Sequence, residues 1–379
     1  MQRPMHLDYR DVLTAPARAF SIRKIVVMTL FLCLGLICFD VFTYLALTVQ
    51  GENLALVWRA YGFFPFVISA FTNIPAAVLS GIGVTTALLS LMLGLFAVAA
   101  ISIEEVRGNP FLSITGAIRF ALRRLSQIFL SELAIALLIG FVILMFFLLG
   151  LLTRIPYIGE WLYAVGFIFP GFFFAILTVF VILVFHVSLV LLPAVAAAEH
   201  HGEAFAVILE TFSTVIRQPF RWLGYTLYSL VAAKLCGFIY AYLCFRAVQF
   251  IIFTTGLGGG QRMTDLVKSG LSHLPTNSEL VRETFNIFPG IDWSFSIYHW
   301  TRSGGDEAVG YAMAVILFLI FVSIIGYMLS IIATVQARGY VVIRYIKDTY
   351  RISDETPLFF TDEPVNPPIR DEGDAKDEK

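Results

Sequence analysis

The chain has 379 residues, of which 58% are hydrophobic and only 14% charged, and its mean hydropathy is +0.82. Soluble domains run at roughly 45–50% apolar and 25% charged, so a soluble protein is excluded. A formal net charge of −1 also excludes the overall basic character expected of a nucleic-acid binder.

The first apolar run, 25–49, exceeds the roughly 7–15 residues of a cleavable signal core and reads as a retained anchor. Five more runs follow, at about 82–103, 128–152, 168–195, 223–250 and 309–336. Each is long enough, at ~1.5 Å per residue, to cross a hydrocarbon core of ~30 Å. Backbone polar groups cannot stay unpaired in lipid, so these are helices. The alternation of a membrane β-barrel is absent.

Segment 63–80 carries Pro65, Asn73 and Pro75 and reads as a re-entrant or interfacial piece on the outer face. The stretch 157–165, after Pro156, holds the same place between spans three and four. The loop 254–307 holds it between spans five and six, opening on a glycine cluster (Gly256, Gly258, Gly259, Gly260) that reads as a flexible hinge. The tail 354–379 is acidic and proline-bearing and reads as disordered, leaving 1–353 as one polytopic domain. Tyr and Trp pairs at the span ends, such as Trp58 with Tyr61 and Trp222 with Tyr225, form the aromatic belt.

Lysine and arginine cluster before span one, before spans three and five, and after span six, with Arg344 and Lys347 among the last group. The other connections are poorer in cations or hold them among matching acids. An even number of spans with both termini in the cytoplasm satisfies this bias.

The chain also repeats itself. Glu105, Gly108, Phe111, Ile114 and Arg123 recur at one constant offset as Glu199, Gly202, Phe205, Ile208 and Arg217. Each copy is a short amphipathic segment running into a span. A fainter first copy shows in Pro16 and Arg18, which mirror Pro219 and Arg221. A fixed-period recurrence marks a duplicated unit. The expectation is an all-α integral membrane bundle of about six transmembrane helices. It is built from three repeated helix-pair units with interfacial amphipathic helices, the units related about the membrane normal as in the parallel repeats of some transporters. Arg119, Arg123 and Arg124, with Arg217 and Arg221, are candidate contacts to lipid headgroups. The alternative is that these segments pack as helices on the neighbouring copy.

Ionisable residues inside spans are the other candidates. Asp40 lies ~24 Å from Lys24, His186 ~20 Å from Glu199 and Lys234 ~20 Å from Arg221, with Glu132 shallower at ~12 Å from Arg124, all at 1.5 Å per residue. A charge at the bilayer centre costs at least ~2.5–3.5 kcal/mol unless paired or hydrated. These residues are therefore expected to face the bundle interior, with Lys234 paired to Asp40 or Glu132. They read either as a polar midplane site for protons or an anionic solute, or as a structural ion pair with His186 hydrogen-bonded across helices.

Glu199, His200, His201 and Glu203 look like a metal cluster, but neighbours on a helix diverge by about 100°, and a solvated helix start is the reading taken. No nucleophile elbow, P-loop or CxxC signature is present. The four cysteines (Cys33, Cys38, Cys236 and Cys244) lie in apolar runs and read as small apolar residues. No metal and no cofactor are expected.

The run 191–199 (LLPAVAAAE), then Gly202, Phe205 and 216–222 (IRQPFRW), resembles a loose group of uncharacterised bacterial polytopic proteins. That group includes the membrane domain fused to some glycerophosphodiester phosphodiesterases. The resemblance covers 190–230 and, weakly, 100–130. It implies a helical integral membrane protein. The phosphodiesterase catalytic domain has no counterpart here, so no activity carries over. The reading is a non-enzymatic, lipid-interacting or complex-organising membrane component, whose partners are the bilayer and, as candidates, other membrane subunits. The alternative is a small-solute or ion transporter using the midplane layer.

Overall fold

The structure, a computed structural model, describes residues 5–61, 71–167, 171–199, 203–259, 265–267, 269–270, 273–274, 306–355 and 357. Six helices are long and apolar enough to cross a membrane, and among the described residues there is no strand. The chain is an all-helical, multi-pass membrane protein.

In order, the helices are α1 (Tyr9–Leu13), α2 (Ala15–Ala19), α3 (Ile22–Gln50), α4 (Leu54–Tyr61), α5 (Ile74–Val106) and α6 (Ile114–Arg123). Then come α7 (Leu125–Leu152), α8 (Ile158–Gly166), α9 (Phe172–Ala198), α10 (Ala204–Arg217), α11 (Pro219–Gly259) and α12 (Asp306–Asp348), followed by a 3₁₀ turn at Ile352–Asp354.

Local chemistry explains the boundaries. Asp8 caps α1 by accepting from Tyr9 N, and Ser113 caps α6 by accepting from Gly116 N at 3.0 Å, each taking up one of the free N–H groups at a helix start. After α5 the chain turns at Gly108, whose φ of 91° lies where a side chain is strained. Pro75 sits in the first turn of α5, where its missing N–H costs nothing.

The helices form an inner set and an outer set. The helices α5, α9 and α12 each pack on the other two. Outside them, α3 packs on α5 and α12, α7 on α9, and α11 on α12. Burial agrees: 72% of the apolar window of α5 is buried, against 6% for α7 and 11% for α11. The amphipathic α6 lies on α5, α10 on α9, and α1 and α2 on α12.

Small residues let the inner helices approach. Ala97, Ala99 and Ala100 of α5, Ala194 and Ala196–Ala198 of α9, and Ala333 and Ala337 of α12 share one core cluster, the close-approach pattern of membrane helices. Hydroxyls stitch it: Ser102 Oγ donates to Thr334 Oγ1 at 3.2 Å, and Ser90 Oγ to Phe31 O at 2.7 Å.

Three expectations need correction. Residues 74–80 of the re-entrant segment are the first turns of α5, while 62–70 lie outside the described residues. The glycine cluster is not a hinge as far as Gly259, since α11 runs through it; Gly260 and 275–305 lie outside the described residues. The first residues of the tail are docked, as shown below, and 358–379 lie outside the described residues.

Candidate functional site

The chemistry of this molecule concentrates where the ends of α5, α9 and α12 meet the start of α3. Lys24, in the first turn of α3, is fully buried, and its Nζ lies 2.9 Å from Glu105 Oε2. Nζ also donates to Arg18 O at 3.2 Å. Arg107, just past α5, is the hub of the next group. Its Nη1 lies 3.2 Å from Glu104 Oε1, and its Nη2 donates to Ala198 O at 2.8 Å, the open carbonyl end of α9. Its Nε and Nη2 bond Glu355 Oε2 at 2.9 and 2.5 Å, which pins the chain beyond α12 against the core. Arg23 donates to Leu112 O at 2.9 Å and Pro110 O at 2.6 Å, holding the turn after α5.

A second group continues from there. Arg124 donates to Ala196 O at 3.3 Å and Glu199 O at 2.8 Å. The last carbonyls of a helix have no partner within it and carry the negative end of its dipole, so Arg107 and Arg124 together cap α9. Burial and the neighbouring Arg107 push the Arg124 guanidinium below its ordinary value. Glu199 pairs with Arg344, and Tyr340 Oη lies 3.0 Å from Glu199 Oε1 and 3.2 Å from Glu210 Oε1. Lys347 Nζ lies 2.6 Å from Glu210 Oε1. Cations and carboxylates alternate, and the arrangement joins four helix ends. Among the described residues no group of His, Cys, Asp and Glu could hold a metal; His200 and His201 lie outside them.

The polar layer is not assembled in this structure. Asp40 is half-buried on α3 and acts electrostatically on Tyr44, one turn along the same helix. His186 is exposed, with Nδ1 2.8 Å from Ile182 O of its own α9. Lys234 is exposed and makes no ion pair with any described residue. Glu132 is half-buried, and its Oε2 accepts from Ser188 Oγ of α9 at 3.1 Å.

The expectation that all four face the interior and that Lys234 pairs with Asp40 or Glu132 is therefore corrected. The reason is rotational. The buried stripe of α11 runs Ser229, Ala232, Ala233, Gly237, Ala241, and Lys234 lies about 100° past Ala233. His186 lies between Val184 and Val187–Ser188 of the buried stripe of α9 in the same way. A lipid-facing lysine in mid-span is a cost of about 2.5–3.5 kcal/mol. Replacing Lys234 by Leu is thus expected to leave the fold intact and raise the thermal midpoint in detergent; a large loss of stability would mean that Lys234 has an essential partner.

Of the candidate headgroup arginines, Arg119, Arg123, Arg217 and Arg221 are exposed. Arg217 lies 3.8 Å from Asp348, an exposed pair worth little. Arg124 is corrected: it serves the end of α9. The residues that sequence reasoning missed as a site, namely Glu104, Arg107, Arg338, Tyr340 and Glu210, appear in the sequence only as charges and a tyrosine flanking apolar runs. No protein-family model, no curated protein and no solved structure matches this chain.

Proposed function

We propose that this is a non-enzymatic component of the bacterial cytoplasmic membrane that gathers anionic lipid at its cytoplasmic face. The observation that carries this reading is the exposure of apolar and cationic side chains together on and beside the short helices α6 and α10. Phe111, just before α6, is 85% exposed, and Phe205, in the first turn of α10, is 69% exposed. Leu122, Ile216 and Phe220 are also open, and Arg119, Arg123, Arg217 and Arg221 lie among them. In water such rings would be a liability. At a bilayer surface they enter the acyl boundary while the arginines reach phosphates.

The helix contacts support the expected three-unit repeat. Each amphipathic element lies on the even-numbered span of a unit and leads into an odd-numbered outer span: α6 on α5, α10 on α9, and α1 with α2 on α12. The pattern closes on itself, as three like units around one axis would. Both described chain ends lie with the charged groups, in keeping with cytoplasmic termini. Nothing favours the transporter reading, since Asp40, His186 and Lys234 do not converge.

The test is lipid retention. Wild-type protein in nanodiscs of mixed phosphatidylglycerol and phosphatidylcholine is expected to enrich phosphatidylglycerol in its annulus. The variant Arg119→Gln/Arg123→Gln/Arg217→Gln/Arg221→Gln is expected to lose most of that preference, at about 1 kcal/mol per cation. An unchanged lipid ratio in the variant would reject the proposal.

A further inference from the structure

Arg338 is the anomaly of the charged end. It lies on α12 between Ala337 and Gly339 and is 1% exposed. Its Nε and Nη1 atoms are buried, and neither has a hydrogen-bond partner among the described residues. It forms no ion pair with them either. Every other buried cation nearby is answered: Lys24 by Glu105, and Arg107 by Glu104 and Glu355. A buried guanidinium without an anion is among the costliest things a fold can hold.

The carboxylates within electrostatic reach do not fill the gap. They are Glu105 of α5 and Asp11 of α1. Glu105 is engaged by Lys24 at 2.9 Å, and Asp11 Oδ2 accepts from Leu7 N at 2.7 Å. The cations acting here are Arg18, Lys24 and Arg338. Three positive charges against two negative ones leave one in excess. Lys24 Nζ uses two of its donors, on Glu105 and Arg18 O, and an ammonium has three.

The α1–α2 pair closes over this place. It packs on α12, and Val12, Ala15 and Ala19 join Val335 and Val342 in one apolar cluster. Tyr228 Oη fastens it from α11 by donating to Leu13 O at 2.8 Å. The cover is two helices of five residues each, and Arg18 on its second helix is half-buried, so it reaches the surface.

We propose that Arg338, beneath α1–α2, binds one phosphate group through its fork, with Lys24 and Arg18 beside it. A guanidinium presents parallel N–H donors that match a phosphate. The charged groups lie at the ends of the apolar helices, where phospholipid headgroups meet a membrane protein, so the phosphate belongs either to an anionic phospholipid or to free inorganic phosphate. This site is separate from the exposed arginines of α6, α10 and α11.

The test weighs the full chain intact by native mass spectrometry after gentle extraction, with phosphorus determined on the same sample. Wild-type protein is expected to carry one phosphorus-bearing species per chain. Arg338→Met is expected to lower its occupancy by roughly tenfold or more, the loss of a charge-assisted contact. Arg338→Lys keeps the charge without the fork; it is expected to bind more weakly than wild type and decides the matter if the methionine variant does not fold.

The mass of the adduct separates the sources. A phospholipid mass assigns a headgroup. A phosphate mass, restored by inorganic phosphate after delipidation, assigns the free ion. The proposal is overturned if wild-type protein holds neither after exposure to phosphatidylglycerol vesicles and to phosphate, or if the Arg338 variants keep wild-type occupancy. It is also overturned if the adduct leaves only in the Arg119/Arg123/Arg217/Arg221 variant, an outcome that leaves the surface reading intact.

Discussion

Arg107→Met is expected to be the most damaging single substitution at the charged end, at about 3–5 kcal/mol. The side chains of Arg107 and Glu104 are 0% and 1% exposed, so the carboxylate left behind cannot recover its hydration. Asn109 Nδ2, 3.5 Å from Glu104 Oε2, is a weak neutral donor and does not replace the guanidinium charge. The same change opens the end of α9, because Ala198 O loses the Nη2 donor, and frees Glu355 from α5.

The pattern of variants separates these contributions. Glu355→Gln should cost less, since its side chain is 12% exposed and water can replace part of the bond. Glu104→Gln combined with Arg107→Met should recover part of the loss, because the stranded charge is gone. Thermal unfolding of the purified protein in detergent provides the measurement. A loss within ~1 kcal/mol for Arg107→Met, the range of an exposed pair, would show that water reaches the network and that the helix ends are not welded there.

Six spans were legible because lipid leaves the backbone no choice but a helix, and an apolar run of that length has no other reading. The helix ends were less so. The helices α5, α11 and α12 outrun their apolar runs through Pro75, Gly256–Gly259 and Arg338–Asp348, because helical hydrogen bonding continues wherever packing supports it. Lys24, Arg107 and Arg344 read in sequence as charges that set orientation, and Glu105 as one position of the repeat. Only the convergence of α3, α5, α9 and α12 makes them partners. The midplane layer failed for a different reason. Rise along a helix gives depth, so Lys234 could be placed in mid-span. Direction around the axis depends on which stripe is buried, and in a span apolar on every side the periodicity that would reveal it is faint.

The seating of α3 against α12 is set by one glycine, and Gly326→Leu is expected to undo it. A Cβ at Gly326 would lie 2.6 Å from Thr29 Oγ1, 3.3 Å from Thr29 N and 3.4 Å from Ile25 O. Two of those atoms are backbone, so no rotamer change relieves them, and the helices must separate. Overpacking of this kind costs about 1–3 kcal/mol, with alanine at the lower end and leucine at or beyond the upper. Gly140→Ala and Gly224→Ala are the controls. A Cβ there meets nothing within 4 Å, and each is expected to be neutral or mildly stabilising in keeping with helix propensity. If Gly326→Ala unfolds at the same temperature as these controls, the close approach is not what holds α3. If it falls as expected, the damage reaches the charged end. One turn after Gly326, Ser330 Oγ donates to Lys24 O at 3.3 Å, so a displaced α12 uncovers Lys24 and admits water to its pair with Glu105. A helix contact made by the smallest residue is thus a condition for burying a charge.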